Sequence, residues 1–525
     1  MRDFQIPGRS AVFANNGMCA TSHPLAAKVA IDTLQAGGNA VDAAIAGAVL
    51  LGLCEPQMTG IGGDCFVLLK PAGEDRVIAL NGSGRAPMGL NADAMRARGM
   101  TAMPVHGVEA VTLPGAVDAF CRLSADWGRF DLAQTLAPAI HYAEDGVPVA
   151  PRTAFDWASA ADDWHGDARR FYLLQGRAPT PGQIFRAPGQ ADVLRRVAAQ
   201  GRAGFYEGEV AEDMVASLQA LGGTHAQADF DAVACDYTEP VLGSYKGTEL
   251  LEHPPNGQGA TAILLLNILA EFDLAALDPF GAARAHIEAE AAKLAYDARN
   301  RFLADAAHTT RLAHMLAPET AKSLAALINP DRAMQGAAPL TEAVHKDTIY
   351  ITVVDKDRMA VSLIYSVFHS FGAGLASAKF GINFQNRGAG FTLTKGHPNE
   401  AAGGKRPMHT IIPGMLRQNG RVTMPFGVMG GAYQPKGHAR FVTNMVDFGL
   451  HPQAAIDAPR SFSGEDGFAV ERGYAPEVRA QLAEMGHDVR IPDGPIGGAQ
   501  AILIDDSGVL QGASDPRKDG CALGY

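Results

Sequence analysis

The chain has 525 residues, more than one small core usually holds, and its 47% hydrophobic and 19% charged content is that of an ordinary soluble globular protein. A formal net charge of -12 with no long acidic or basic block argues against nucleic acid and against an anionic membrane surface as partners. The N-terminal stretch lacks an apolar signal core, and the longest uncharged apolar run, 43–54, is too short for a spanning helix, which needs about 20 residues, so the expected compartment is the cytoplasm. The six cysteines are scattered without a CxxC pair and read as reduced, mostly buried thiols.

In chain order, Thr21-Ser22-His23-Pro24 introduces a helix with apolar positions Leu25, Val29, Ile31 and Leu34, which Gly37-Gly38 ends as a left-handed cap. Asn39 opens a second helix, 40–53, whose Ala and Gly content predicts burial in close contact with a sheet. Thr59-Gly60-Ile61-Gly62-Gly63 then leads into a strand ending near Leu69. A phosphate-binding loop follows a strand and opens a helix, so these glycines predict instead a tight turn against another backbone. A strand over 76–81 follows, then a polar loop to Pro87. Helices dominate 115–335, with helical spacing at 137–142, 210–221 and 282–303. The last of these carries Glu288, Glu290, Lys293, Asp297 and Arg299, a spacing that usually makes a solvated or paired helix face. Residues 310–347 are polar and poorly patterned and predict an exposed, flexible segment.

A hairpin comes next. Ile349, Ile351 and Val353 share one face of its first strand, and Tyr350, Thr352 and Val354 the other. The turn is 356–359 and the returning strand 360–368. Beyond it lie Gly-rich and polar loops at 371–374 and 385–390, Lys405-Arg406-Pro407-Met408-His409-Thr410, Gly427-Val428-Met429-Gly430-Gly431, and two final strands punctuated by 512–520. There is no internal repeat and no low-complexity segment.

No GxSxG serine elbow occurs, and neither an HExxH nor another clustered ligand set calls for a metal or cofactor. A nucleophile that carries its own base remains. Thr348 heads the hairpin directly after the polar run His345-Lys346-Asp347. Cleavage of the Asp347–Thr348 bond would free an α-amino group, with an unperturbed pKa of about 7.7–8.0, able to relay the hydroxyl proton through a water. Local pattern alone favours an ordinary strand-start threonine.

The whole chain resembles the γ-glutamyltranspeptidase family. The resemblance is carried by Gly37-Gly38-Asn39-Ala40-Val41-Asp42-Ala43-Ala44, Thr59-Gly60-Ile61-Gly62-Gly63, Pro138-Ala139-Ile140, Asp347-Thr348, Val353-Val354-Asp355-Lys356-Asp357, Lys405-Arg406-Pro407, Met429-Gly430-Gly431 and Gly512-Ala513-Ser514-Asp515-Pro516-Arg517. It implies an α+β fold of the N-terminal-nucleophile hydrolase type, a four-layer αββα sandwich with two stacked antiparallel sheets between helical layers. It implies self-cleavage into a large chain, 1–347, and a small chain, 348–525, packed as one domain. The transferred roles are Thr348 as nucleophile, Ser366 as its hydroxyl partner, and Gly430 and Gly431 as the oxyanion hole. No cofactor is implied, and a dimer of processed heterodimers fits the reading.

The departures concern the substrate. The family's carboxylate-binding Arg aligns with Ser83, leaving Arg85 two residues on, and a substrate-contacting Asn aligns with Phe368. A Gln and an Asp beside the substrate's amino group align with Arg387 and Gly390, and two Ser residues with His409 and Thr410. Losing the Asp and gaining Arg387 disfavours a substrate ammonium and suits a carboxylate. The pattern therefore resembles the divergent branch that includes an oxamate amidohydrolase. The expected substrate is a small amide bearing a carboxylate, with water or an amine as acceptor and with Arg85, Phe368, Arg387, His409 and Thr410 as its contacts. True γ-glutamyl hydrolysis or transfer, acylase action on larger glutaryl-type amides, and an unprocessed binding scaffold are the alternatives.

Overall fold

The computed structural model describes residues 5, 8–334, 348–464 and 467–525. The strands that build its core are β1 (Val12–Ala14), β2 (Met18–Thr21), β3 (Asp64–Lys70), β4 (Ile78–Gly82), β5 (Asp236–Thr238), β6 (Val241–Tyr245), β7 (Thr248–Glu252), β8 (Ile349–Val354), β9 (Ala360–Ser366), β10 (Pro413–Gln418), β11 (Arg421–Met429), β12 (Gly498–Ile504), β13 (Leu510–Ser514) and β14 (Cys521–Gly524). Among the described residues they form two seven-stranded sheets, ordered β14-β2-β8-β9-β3-β4-β5 and β1-β13-β12-β11-β10-β7-β6. Every pairing in both is antiparallel.

Three apolar layers hold these sheets. Ile349, Ile351 and Val353 of β8 pack with Val41, Ile45 and Leu50 of the helix Ala40–Cys54 on the outer side of one sheet. Met18, Leu68 and Val354 meet Leu251, Met415 and Ile502 between the sheets. Leu250, Leu416 and Val428 pack with the helices Gly259–Leu269, Ala282–Phe302 and Gln434–Val446 on the far side. The result is the expected αββα sandwich. It also explains why β8 is apolar on both faces: one faces helices and the other a second sheet.

Local rules account for the pieces. His23 caps the helix Pro24–Gln35 by accepting from Leu25 N–H, and Gly37, at φ 106, ends it. Asn39 accepts from Val41 and Asp42 N–H while Asp42 accepts from Asn39 N–H, a reciprocal cap. Asp355, in the turn after β8, accepts from Ala40 N–H at 3.0 Å and so ties the hairpin to the same helix start.

Two expectations change. The helical stretch 115–335 contains β5, β6 and β7; β6 and β7 turn through Lys246 and Gly247, both at positive φ, the geometry of a two-residue hairpin. Within the segment expected to be unpatterned, Leu312–Leu316 and Pro318–Ala325 are helical, with Met315, Ala321 and Ala325 buried. Residues 335–347, including Asp347 of the expected cleavage bond, lie outside the described residues. Among the described residues all six cysteines are unbridged, and no helix is long and apolar enough to cross a membrane.

Candidate active site

Ile349 pairs with Tyr365, so Thr348, one step before β8, falls opposite Ser366, the last residue of β9. Both are buried, and Thr348 Oγ1 donates to Ser366 Oγ at 3.3 Å. Ser366 Oγ also accepts from Phe368 N–H at 2.8 Å and from Arg387 Nη2 at 3.4 Å. The turn 59–63 lies beneath this corner, as its glycines predict: a Cβ on Gly63 would stand 2.4 Å from the Ser366 carbonyl oxygen, and one on Gly62 2.0 Å from that of Asn383.

Arg387 opens a short helical turn, Arg387–Gly390, and is fully buried. Its guanidinium carbon stands 3.9 Å from the centroid of the Phe368 ring, and Nη1 donates to Thr410 Oγ1 at 2.9 Å. Phe368 adopts φ 82, a region large side chains rarely use, in the segment where the chain leaves β9. Four sequence-predicted residues, Ser366, Phe368, Arg387 and Thr410, therefore converge beside Thr348.

Behind them lies Asp64, the first residue of β3, which is fully buried. Its Oδ1 accepts from Gly84 N–H at 2.8 Å, Gly115 N–H at 3.2 Å and Gln385 Nε2 at 2.8 Å. Its Oδ2 meets His409 Nε2 at 3.1 Å. Burial first, then the charge of Arg387, holds His409 well below the usual imidazole range, so the ring is neutral. Nδ1 accepts from Ile411 N–H at 3.4 Å, which leaves the proton on Nε2, donated to Asp64. Burial pushes Asp64 up to about 6, although Arg387 and its donors favour the anion. His409 therefore supports the site from behind, while Thr410 touches Arg387 directly.

Arg85 is placed differently from expectation. Its Nη1 donates to the Gly404 carbonyl at 3.1 Å and meets Asp305 at 3.4 Å. It borders a cavity of about 240 Å³ with Ser83, Gly84, Leu113 and Arg406, and among the described residues no hydrogen bond joins it to the Thr348 group.

Gly430 and Gly431 have φ 119 and 53, open to glycine and poorly to other residues. A Cβ on Gly430 would also stand 2.9 Å from Gly497 Cα. Met429, just before the pair, shares an apolar cluster with Tyr350 of β8 and Ile411, and Gln258 Nε2 donates to the carbonyls of both Gly431 and Thr410.

The sequence reading missed Asp64 and Gln385. The available signal was a charge at the start of the otherwise apolar strand DCFVLLK, directly after the glycine turn. It also missed the grouping of His286, Glu290 and His487, ligand atoms within 4.8 Å of one another. Protein partners occupy that group: His286 Nδ1 meets His487 Nε2 at 2.7 Å, His286 Nε2 meets the Asn329 carbonyl at 2.8 Å, and Glu290 accepts from Lys293 and Met334 N–H at 2.6 Å each. The charged side chains of the helix Ala282–Phe302 are thus mostly buried and paired; Glu288 likewise binds Arg284 and Arg440.

Comparison with known proteins agrees with this architecture. The gamma-glutamyltranspeptidase family model matches residues 26–525. The chain is 34% identical to the glutathione hydrolase-like YwrD proenzyme of Bacillus subtilis, covering 98% of this chain and 99% of that protein. It is also 34% identical to the oxamate amidohydrolase proenzyme of Klebsiella pneumoniae, covering 98% and 100%. The crystal structure of a cephalosporin acylase from Bacillus halodurans superposes with a TM-score of 0.92 at 38% identity, over 100% of this chain and 99% of that one.

Proposed function

From the premise that the chain belongs to the γ-glutamyltranspeptidase family of N-terminal-nucleophile hydrolases, we propose that it is a self-processing amidohydrolase that uses Thr348 to cleave a small amide bearing a carboxylate. In maturation, Thr348 Oγ1 attacks the Asp347 carbonyl carbon, the peptide C–N bond breaks, and the acyl group passes from nitrogen to oxygen. Water then hydrolyses the ester, leaving 1–347 and 348–525. In turnover, the freed α-amino group takes the Oγ1 proton through a water as Oγ1 attacks the substrate carbonyl. Gly430 and Gly431 N–H groups hold the oxyanion, and the departing amine takes up the proton. Water, or an amine, resolves the acyl-enzyme.

The carrying observation is the chain of contacts from Thr348 through Ser366 to Arg387, 3.3 and 3.4 Å long. A carboxylate on the guanidinium then lies only a few bonds from a carbonyl positioned for attack, which favours a short acyl group over a glutaryl or larger one. Oxamate, the substrate in the name of the Klebsiella relative, carries its carboxylate directly on the scissile carbonyl. The test is a hydrolysis panel of oxamate, a γ-glutamyl anilide, glutathione and a glutaryl amide. Ammonia release from oxamate with little γ-glutamyl turnover is expected. Robust γ-glutamyl turnover with none on oxamate would overturn the substrate assignment.

A further inference from the structure

Two parts of the site must keep a fixed separation if a short acyl group is to be held at both ends. One is the Arg387 clamp, which leans on Thr410; the other is the glycine pair 430–431. They belong to different loops, one before β10 and one after β11. Gln258, in the loop before the helix Gly259–Leu269, joins them with one carboxamide. Its Nε2 donates to the Thr410 carbonyl at 2.6 Å and to the Gly431 carbonyl at 3.1 Å. Its Oε1 accepts from Arg299 Nη1 at 2.9 Å, which fixes the amide orientation, because a flipped amide would turn its NH₂ toward a guanidinium and its oxygen toward two carbonyls.

The anchor is itself held. Arg299 Nε and Nη2 donate to Asn300 Oδ1 at 2.9 and 2.8 Å, and the guanidinium lies 4.7 Å from the Tyr296 ring centroid. Tyr296 OH donates to the carbonyl of Ala432, the next residue of the glycine loop. Gln258, Thr410, Arg299 and Tyr296 are all buried, so water does not compete for these bonds. The neighbouring Asn256 carbonyl accepts from His409 N–H at 2.8 Å, so the same loop holds the clamp segment a second time.

We propose that Gln258 is a positioning residue that sets the distance between the carboxylate clamp and the oxyanion hole, and thereby the preference for short carboxylate-bearing amides. The proposal rests on the carboxylate reading of Arg387. A neutral amide of the same length uses only the oxyanion hole and Thr348, whereas a carboxylate-bearing amide uses both parts together.

The experiment compares kcat and KM for oxamate and for a neutral amide of equal length in the processed wild type, Gln258→Leu, Arg387→Ala and the double variant, with intact mass confirming processing. Gln258→Leu keeps the bulk and removes the two bonds to the Thr410 and Gly431 carbonyls together with the one from Arg299. The expected result is a loss in kcat/KM of about 10- to 100-fold on oxamate and several-fold less on the neutral amide, since misplacement by about 1 Å can cost 100-fold. In the Arg387→Ala background, Gln258→Leu should leave the ratio of the two substrates nearly unchanged. Equal losses on both substrates, or the same change in ratio in both backgrounds, would overturn the proposal. Should Gln258→Leu remain unprocessed, Arg299→Lys, which loosens the anchor and leaves Gln258 in place, is read by the same ratio. A wild type without any preference for the carboxylate would instead overturn the functional assignment on which the proposal rests, so the two failures are distinguishable.

Discussion

Thr348 donates to Ser366, and Ser366 also accepts from Arg387, so the proposed nucleophile, its hydroxyl partner and the proposed clamp share one line of hydrogen bonds. Thr348→Ala removes the attacking oxygen from both proposed reactions. The variant is expected as a single uncut species without turnover, by intact mass and activity on the same sample. Arg387→Ala is expected to raise KM for a carboxylate-bearing amide about tenfold or more while moving a neutral amide far less, since a hydrogen bond to a charged group contributes about 1.5–3 kcal/mol. Asp64 gives a pH prediction. Its folded pKa, about 6, is raised by burial above the unfolded value of about 3.9. The folded state therefore holds the proton more tightly, and the contribution of Asp64 to stability is full below about pH 4 and is lost as pH rises through about 6. Asp64→Asn lacks this dependence. The difference in melting temperature between variant and wild type should shift in the variant's favour across that interval; a difference that stays flat would contradict the assignment.

At the scale of elements, the register of β8 against its neighbours places the chemistry. Tyr350 lies over Gly427 of β11, where a Cβ would stand 2.3 Å from the ring, and its hydroxyl is fixed by Ser362 at 2.6 Å. Gly427→Ala is expected to cost about 1–3 kcal/mol through overpacking, read as a fall in melting temperature, and to lower kcat because the strand ends two residues on at Met429 and the glycine pair follows directly after it. The hairpin of β8 and β9 was legible because alternation, turn and β-branched content agree: Ile349, Ile351 and Val353 share one core, while Tyr350 and Val354 of the other face belong to different clusters. The two capped helices were legible for the same reason. The strands β5–β7 were not: they are short, lie within a helical region, and their signal was the dipeptide Lys246-Gly247. Ser366, Phe368, Arg387 and Thr410 were reached through resemblance, since nothing local marks them as neighbours. Asp64, Gln258 and Gln385 act through partners up to 345 residues away, which no window of sequence contains. Arg85 shows the converse: despite its proximity in sequence to the expected position, its guanidinium bonds Asp305 and the Gly404 carbonyl and, among the described residues, makes no hydrogen bond to the Thr348 group.

At the scale of the whole molecule, the two proposed fragments are interleaved. One sheet takes β2, β3, β4 and β5 from the first 347 residues and β8, β9 and β14 from the remainder; the other takes β1, β6 and β7 from the first and β10 to β13 from the second. β8 lies between β2 and β9, so separating the fragments would break edges inside both sheets and open all three apolar layers. Processed protein should therefore run as one particle on native size exclusion and resolve into two bands only on denaturation. The central claim, that Thr348 becomes an N-terminal nucleophile, is tested most directly by intact mass spectrometry of the purified wild type. Two masses are predicted, corresponding to 1–347 and 348–525, in a sample that hydrolyses amide. A single uncut mass with full amide turnover, or a cut at another bond in active protein, would contradict it.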